Sequence, residues 1–308
     1  MRTTAGYLFM AQTYSLNALT IEELLHRLRS KNLIIDNQEQ ALHCLKTIGY
    51  HRLSSYFDPF KTYHLSEWKF KPSASFNAIW QLYNFDRELR LLVTDALERI
   101  EVTFRAVISD TMSLHYEPHW YLNASLFKRR EMHDSLLQQV NDVCRRQEDP
   151  QIKQYYHQYC HPEFPPSWII IENLSFGACV TTFRNLKLLS DKKAICEIFG
   201  YHPTAIESWL DALRYTRNLC AHHSRLWNRW FVVAPKLSYL YGDQFHKERS
   251  FYAQAIIINR LLQVISPGSQ WQAKLYALFN KNDLVPIYKM GFIENWHDDL
   301  FWENNNLV

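Results

Sequence analysis

Residues 207–229 read ESWLDALRYTRNLCAHHSRLWNR, and the fold is argued outward from this stretch. Laid on a helix at about 100° per residue, Ile206, Leu210, Leu213, Cys220 and Ala221 fall on one apolar stripe. Asp211, Arg214, Asn218, His222 and Arg225 follow at spacings of three or four and form a second, polar stripe. Arg217 lies between the two, close to the apolar side. Such a helix can pack while presenting an amide, an imidazole and several guanidinium groups along one line. The stretch predicts an amphipathic helix with one buried face.

A solvated helix face is the plain reading of the polar stripe. Two features speak for chemistry instead. From Asp211 to Arg229 the run is cationic, with Arg214, Arg217, Arg225 and Arg229 answered only by Asp211. It also carries His222 and His223 side by side, and imidazole can both take and give a proton near neutral pH. Arginine with histidine, in no metal-ligand spacing, suits phosphodiester cleavage in RNA. The imidazole moves a proton at the 2′-oxygen or the leaving 5′-oxygen. The guanidinium holds the non-bridging oxygens as their charge grows.

Arg217-Asn218-Leu219-Cys220-Ala221-His222 matches the R-polar-x3-H signature of the HEPN ribonucleases. The wider string RNLCAHHSRLWNR resembles the Abi family of bacterial abortive-infection proteins. Three upstream blocks resemble the same family in order. Tyr50-His51-Arg52-Leu53-Ser54-Ser55-Tyr56-Phe57 is similar to its GYYRLSGY form. FDRELRLLVTDALERIEVTFR at 85–105 and WIIIENLSFGACVTTFRNLK at 168–187, with its LSFG, complete the set. The likeness spans residues 20–230, about two-thirds of the chain.

The resemblance implies an all-α fold with a HEPN-type helical bundle at 76–230, carrying the R-x4-H motif. A flexible arm at 1–19 and an N-terminal helical region at 20–75 would precede it, and a C-terminal helical extension at 231–308 would follow. It further implies a metal-independent endoribonuclease, a growth-arrest toxin of abortive infection and phage defence, leaving a 2′,3′-cyclic phosphate. Arg217 would stabilise the phosphorane-like transition state, His222 would transfer the proton, and Asn218 would position substrate or imidazole. Glu98 or Glu101, on a helix packed against the motif, would orient Arg217 or His222. Pairs within that helix, such as Glu101 with Arg105, account for either carboxylate equally well. Arg214, His223, Arg225 and Arg229 would contact RNA, as would His51 and Arg52, although burial of the surrounding aromatics also explains the latter block. One motif per chain implies a homodimer with a composite active site.

Two other readings stay open. One is a non-catalytic RNA-binding protein of a defence or toxin–antitoxin system, holding a small noncoding RNA on the same cationic stripe. The other is a helical scaffold in which Arg217 and His222 are replaceable. The nuclease reading also carries a geometric condition. Five residues at about 100° each place Arg217 and His222 some 140° apart on an ideal helix. The helix must end or distort near Cys220, or a partner chain must bring the groups together.

Along the rest of the chain, Thr20-Ile21-Glu22-Glu23 is a capping box, Asp36 or Asn37 opens the next helix, and Gly49 closes it. Residues 58–75 have prolines at both ends and no sustained period, which reads as a connector. A long helix follows from Phe76 to about Ser113, with Leu89, Val93, Ala96, Leu97, Ile100, Phe104 and Ile108 as its core stripe. Its polar side carries Arg87, Arg90, Asp95, Glu98, Arg99, Glu101 and Arg105. Residues 126–158 read as an exposed helical arm broken at Asp149-Pro150. Helices are then predicted at 167–189, 191–199 and 204–228, the last capped by Thr204 with Glu207 at N3. Residues 247–280 are helical with a stop at Pro267-Gly268, and the tail is read as a helical cap.

Composition sets the outer limits. Only 7 glycines among 308 residues argue against a Gly-rich nucleotide loop, and a net charge of +3 leaves any nucleic-acid surface to be local. Six cysteines without a C-x-x-C pair suggest neither a zinc ribbon nor a disulfide framework, and fit a reducing cytoplasm. No run approaches the ~18 apolar residues of a membrane span. In His115-Tyr-Glu-Pro-His119 the proline breaks the helix that would align the imidazoles, and His157-x-x-Cys160-His161 lacks a fourth ligand. No metal site and no cofactor are predicted.

Overall fold

In the computed structural model, residues 17–64, 67–237, 247–282, 285–298 and 302 are described. The arm expected at 1–19 lies outside them up to residue 16. Twelve α-helices and one two-stranded sheet make up these residues, so the fold is predominantly helical. No helix among them is long and apolar enough to cross a membrane. The chain forms two compact units, one ending at Asn84 and one running from Phe85.

In the first unit, the Thr20 hydroxyl accepts from the Glu23 amide at 3.2 Å and the Glu23 carboxylate accepts from the Thr20 amide at 2.7 Å. This reciprocal cap starts α1 (Ile21–Ser30), which buries Leu25 and Leu28 against α2 (Gln38–Thr47). The Asn37 side chain caps α2, and Gly49, at φ +89°, turns the chain into α3 (Tyr50–Ser54). The connector read at 58–75 is in fact a hairpin. Strand β1 (Lys61–His64) pairs antiparallel with β2 (Glu67–Phe70), Lys61 opposite Phe70. Four-residue strands are too short to show a period of two, which is why the pattern was invisible. Phe70 is buried edge-on to Phe57, and its amide donates to the Lys31 carbonyl at 2.8 Å.

Helix α4 (Phe76–His115) runs unbroken for 40 residues, and the predicted core stripe from Leu89 to Ile108 is buried throughout. Its polar side is only partly solvated, with Arg87 and Glu98 exposed. Arg90 and Arg105 are buried, each neutralised by a carboxylate one turn earlier, Asp86 and Glu101. In the second unit this side of α4 meets the chain after the motif helix and also α7 (Ser167–Asn173). There Arg105 donates to the Ile171 and Glu172 carbonyls, closing the end of α7.

The helix predicted at 167–189 is two helices. Leu174 is extended, and the Ser175 hydroxyl accepts from the Ala178 amide at 3.1 Å to cap α8 (Phe176–Asn185). The serine of LSFG is thus a helix start. The stretch at 126–158 contains α5 (Arg130–Arg146) and α6 (Pro150–Gln158), divided at Asp149 as expected. It is less exposed than its charge implied, because Leu136, Val140 and Val143 are buried and α5 packs on α8. α9 (Leu189–Cys196) leads to α10 (Pro203–Ala221), the motif helix. α11 (Phe251–Ile265) is buried along nearly its whole length, and Pro267-Gly268 separates it from α12 (Trp271–Lys281). The described tail holds 3-10 turns rather than an α-helical cap, with Trp296 and Trp302 buried.

Candidate functional site

α10 starts one residue earlier than predicted. Pro203 occupies its first position and the His202 side chain, not Thr204, caps it by accepting from the Thr204 amide. Glu207 therefore falls beyond N3 and instead binds the buried ammonium of Lys192 on α9. Ile206, Leu210, Leu213 and Cys220 are buried as the apolar stripe required, joined by Trp209, Ala212 and Thr216. Ala221, assigned to that stripe, is exposed. Thr216 reaches across to Gln254 of α11 at 3.0 Å, both inside the core.

The far end of α10 decides the site. The helix stops at Ala221, not at residue 228. The Ser224 amide donates to the Leu219 carbonyl at 2.8 Å and the His223 amide to the Cys220 carbonyl at 2.9 Å. With His223 at φ +53°, these two bonds form a Schellman close, with a histidine in the left-handed position that glycine usually fills. His222 is the cap residue, at φ −86° and ψ 9°. The single stripe drawn through His222 to Arg225 therefore does not exist. The helix does end near Cys220, but His222 keeps the i→i−4 bond to Asn218 and so stands at its helical angle from Arg217; only the residues after it change direction.

The residues after the close are anchored by Asp86 on α4. This carboxylate is fully buried; one oxygen accepts from the amides of Leu226 at 3.0 Å and Trp227 at 2.6 Å, and the other binds Arg90. Two successive amides on one charged acceptor hold the segment firmly. Beside it, burial pushes the Cys220 thiol up to about 12, helped by the Asp86 carboxylate and opposed by a bond to Thr94. Cys220 is therefore a neutral packing group.

Arg217 is exposed on the last turns of α10, with its Nε 3.5 Å from one oxygen of Glu101. The other oxygen of Glu101 takes Arg105. Glu101 is thus paired within its own helix and also lies beside Arg217. The α7 carbonyls hold Arg105, Arg105 holds Glu101, and Glu101 stands 3.5 Å from Arg217. Glu98 is exposed and forms no ion pair with Arg217 or His222. Asn218, His222 and His223 are exposed, and the Asn218 carbonyl accepts from the His222 amide at 3.0 Å.

The other cations are more constrained. Arg214 is half-buried, 3.4 Å from Asp211, whose second oxygen binds Arg184 of α8. Its stem lies over Gly177, where a Cβ would stand 3.4 Å from Arg214 Cδ. That is ordinary contact, so a methyl group would fit at the glycine of LSFG while a larger side chain would press on Arg214. The Arg229 Nε turns back onto the Arg225 carbonyl. His51 and Arg52 sit on α3, in the first unit. No group of three or more His, Cys, Asp or Glu side chains among the described residues is arranged to hold a metal ion. His115 pairs with the buried Asp191, as does the Tyr116 hydroxyl.

Asp86 and Arg105 went unrecognised as site-building residues. In sequence each belongs to an ordinary i,i+4 pair on a charged helix, and nothing local distinguishes a buried pair from a solvated one.

No curated protein and no solved structure matches the chain. Residues 43–228, more than half of its length, match the family model described as Abi-like protein. The matched region begins in α2, takes in all of α4 and α10, and ends just beyond the amides that Asp86 holds. The chain belongs to the Abi-like protein family.

Proposed function

We propose that this chain is a metal-independent endoribonuclease of the HEPN type, acting in abortive infection as a growth-arrest toxin of phage defence. The observation that carries the reading is the arrangement at the end of α10. An exposed guanidinium is oriented by a braced carboxylate, and exposed imidazoles stand just past it on a helix close secured from behind.

In the reaction, the 2′-hydroxyl loses its proton to an imidazole and its oxygen attacks the neighbouring phosphorus. The P–O5′ bond breaks, and the leaving oxygen takes a proton. The products are a 2′,3′-cyclic phosphate and a 5′-hydroxyl. Arg217 binds the non-bridging oxygens, whose charge rises in the transition state. Glu101 approaches Arg217 at Nε, and the terminal nitrogens are the donors proposed for phosphate. His222 transfers the proton, and Asn218 positions substrate at the same helix end. Displacement in line calls for a base on one side of phosphorus and an acid on the other. One chain supplies a single motif, so a homodimer with a composite site supplies both. All six cysteines are free, which suits work in a reducing cytoplasm.

The test is incubation of purified protein with end-labelled RNA in EDTA, followed by analysis of the product ends. Fragments with cyclic phosphate ends are expected. Binding without cleavage would replace this reading with that of a protein that holds RNA without turning it over. Light scattering tests the composite site, which falls if a monomer is fully active.

A further inference from the structure

Six of the ten tryptophans are buried, and Trp230 stands apart from the other nine with 72% of its surface exposed. It is not exposed through loose chain. Trp227 before it is fully buried, with its amide on Asp86, and Phe231 after it is fully buried, with its amide on the Arg249 carbonyl at 2.9 Å. The indole is also backed. The Arg249 guanidinium lies over the Trp230 ring at 5.6 Å, and its Nη1 donates to the carbonyls of Val232 at 2.6 Å and Phe231 at 3.2 Å. A cation pinned to backbone thus occupies one face of a fixed aromatic plate, and solvent takes much of the rest.

A flat, exposed plate of this kind suits either a nucleobase or a protein partner, and charge decides between them. From Arg217 to Arg249 the sequence holds Arg217, Arg225, Arg229, Lys236, Lys247 and Arg249 against Asp243 and Glu248 alone. The centre of a protein interface is depleted in charged residues. A stacking aromatic set among cations is what binds unpaired bases, because each base brings its own phosphate. A duplex keeps its bases stacked internally and offers none to the plate.

We infer that Trp230, backed by Arg249, is a stacking subsite for an unpaired base of single-stranded RNA, eight residues beyond His222. The identity of the ligand rests on the ribonuclease reading, and the subsite requires an unpaired stretch in the RNA that is bound.

The test is fluorescence anisotropy in the His222→Ala background, so that binding is measured without cleavage. The probes are a short single-stranded RNA, the same strand with abasic positions, and its duplex. The parent should bind the intact strand most tightly. Trp230→Ala should weaken that binding by about 5- to 150-fold, the range for one stacked base, and erase the difference between intact and abasic strands. Trp230→Phe should retain most of the affinity. Equal binding by parent and Trp230→Ala overturns the subsite and leaves the ribonuclease reading intact. So does an equal loss on the abasic strand, or a loss of dimer by light scattering with RNA affinity unchanged, which makes the indole a protein contact. If the parent binds no RNA at all and His222-intact protein cleaves none, the ribonuclease reading fails and takes the subsite with it.

Discussion

Replacing Asp86 with Ala should be among the most damaging single changes in the chain. The side chain is fully buried, serves two backbone amides and neutralises Arg90. Stripping a buried cation of its partner costs about 3–5 kcal/mol. Each buried amide left without an acceptor adds about 1–3 kcal/mol. The terms overlap, because a released segment at 224–227 can find water, so a loss of about 4 kcal/mol is expected. That is a large share of the roughly 5–15 kcal/mol that stabilises a domain. Asp86→Asn keeps an acceptor for both amides but turns its NH2 toward buried Arg90, so it should spare only the amide part of the loss and keep the part due to the unpaired cation. Asp86→Leu combined with Arg90→Met removes both charges and should cost less than Asp86→Ala alone. Urea unfolding followed by tryptophan fluorescence measures each loss, with the Asn variant informative even if Ala fails to fold. Native-state amide exchange should find Leu226 and Trp227 strongly protected in the unmodified protein. A Asp86→Ala variant within about 1 kcal/mol of wild type, or fast exchange at those amides, would refute the argument.

Glu101→Gln should lower stability by about 1–3 kcal/mol, mostly through buried Arg105, since the pair with exposed Arg217 contributes little. It should also lower kcat by about tenfold with little change in KM, and an unchanged kcat would show that Glu101 does not orient Arg217. Gly177→Ala should be neutral or stabilising by up to about 1 kcal/mol, because the new Cβ meets only ordinary contact with Arg214 and alanine favours the helix. Gly177→Val should be destabilising, and equal thermal midpoints for the two would contradict the close approach of α8 and α10. Native protein should show one fast thiol toward a disulfide reagent, Cys160, because the other five are buried and burial pushes Cys179, Cys196 and Cys220 up to about 12. A second fast thiol would argue against this packing.

The legible parts of the fold were those that a single local pattern specifies. The α4 core stripe, the Thr20 capping box and the Pro267-Gly268 break each depend on residues within a few positions of one another. What stayed hidden depends on neighbours remote in sequence. Arg90 and Arg105 look like surface charges until the segment after α10 and the end of α7 cover them. The early stop of α10 was hidden for another reason. His223 takes the left-handed conformation without being glycine, so composition gave no sign of a helix end. The angle between Arg217 and His222 was legible, and because His222 keeps its i→i−4 bond to Asn218, the close after it leaves a partner chain as the way to bring the two groups together. The pairing of Glu101 with Arg217 was foreseeable only as one of two options, because a carboxylate has two oxygens and uses both.

The most direct measurement of the central claim is the single-turnover rate of RNA cleavage in EDTA for Arg217→Ala, His222→Ala and His223→Ala beside wild type. All three positions are exposed at or near the end of α10, so the variants should fold. The account predicts that His222→Ala loses at least about 100-fold, the usual contribution of general acid–base catalysis. Arg217→Ala should lose a comparable factor, while His223→Ala, whose side chain sits on the left-handed close, should affect RNA affinity more than rate. Near-wild-type cleavage by His222→Ala with a dead His223→Ala would contradict the assignment. Cleavage that vanishes in EDTA and returns with magnesium or zinc would contradict the mechanism itself.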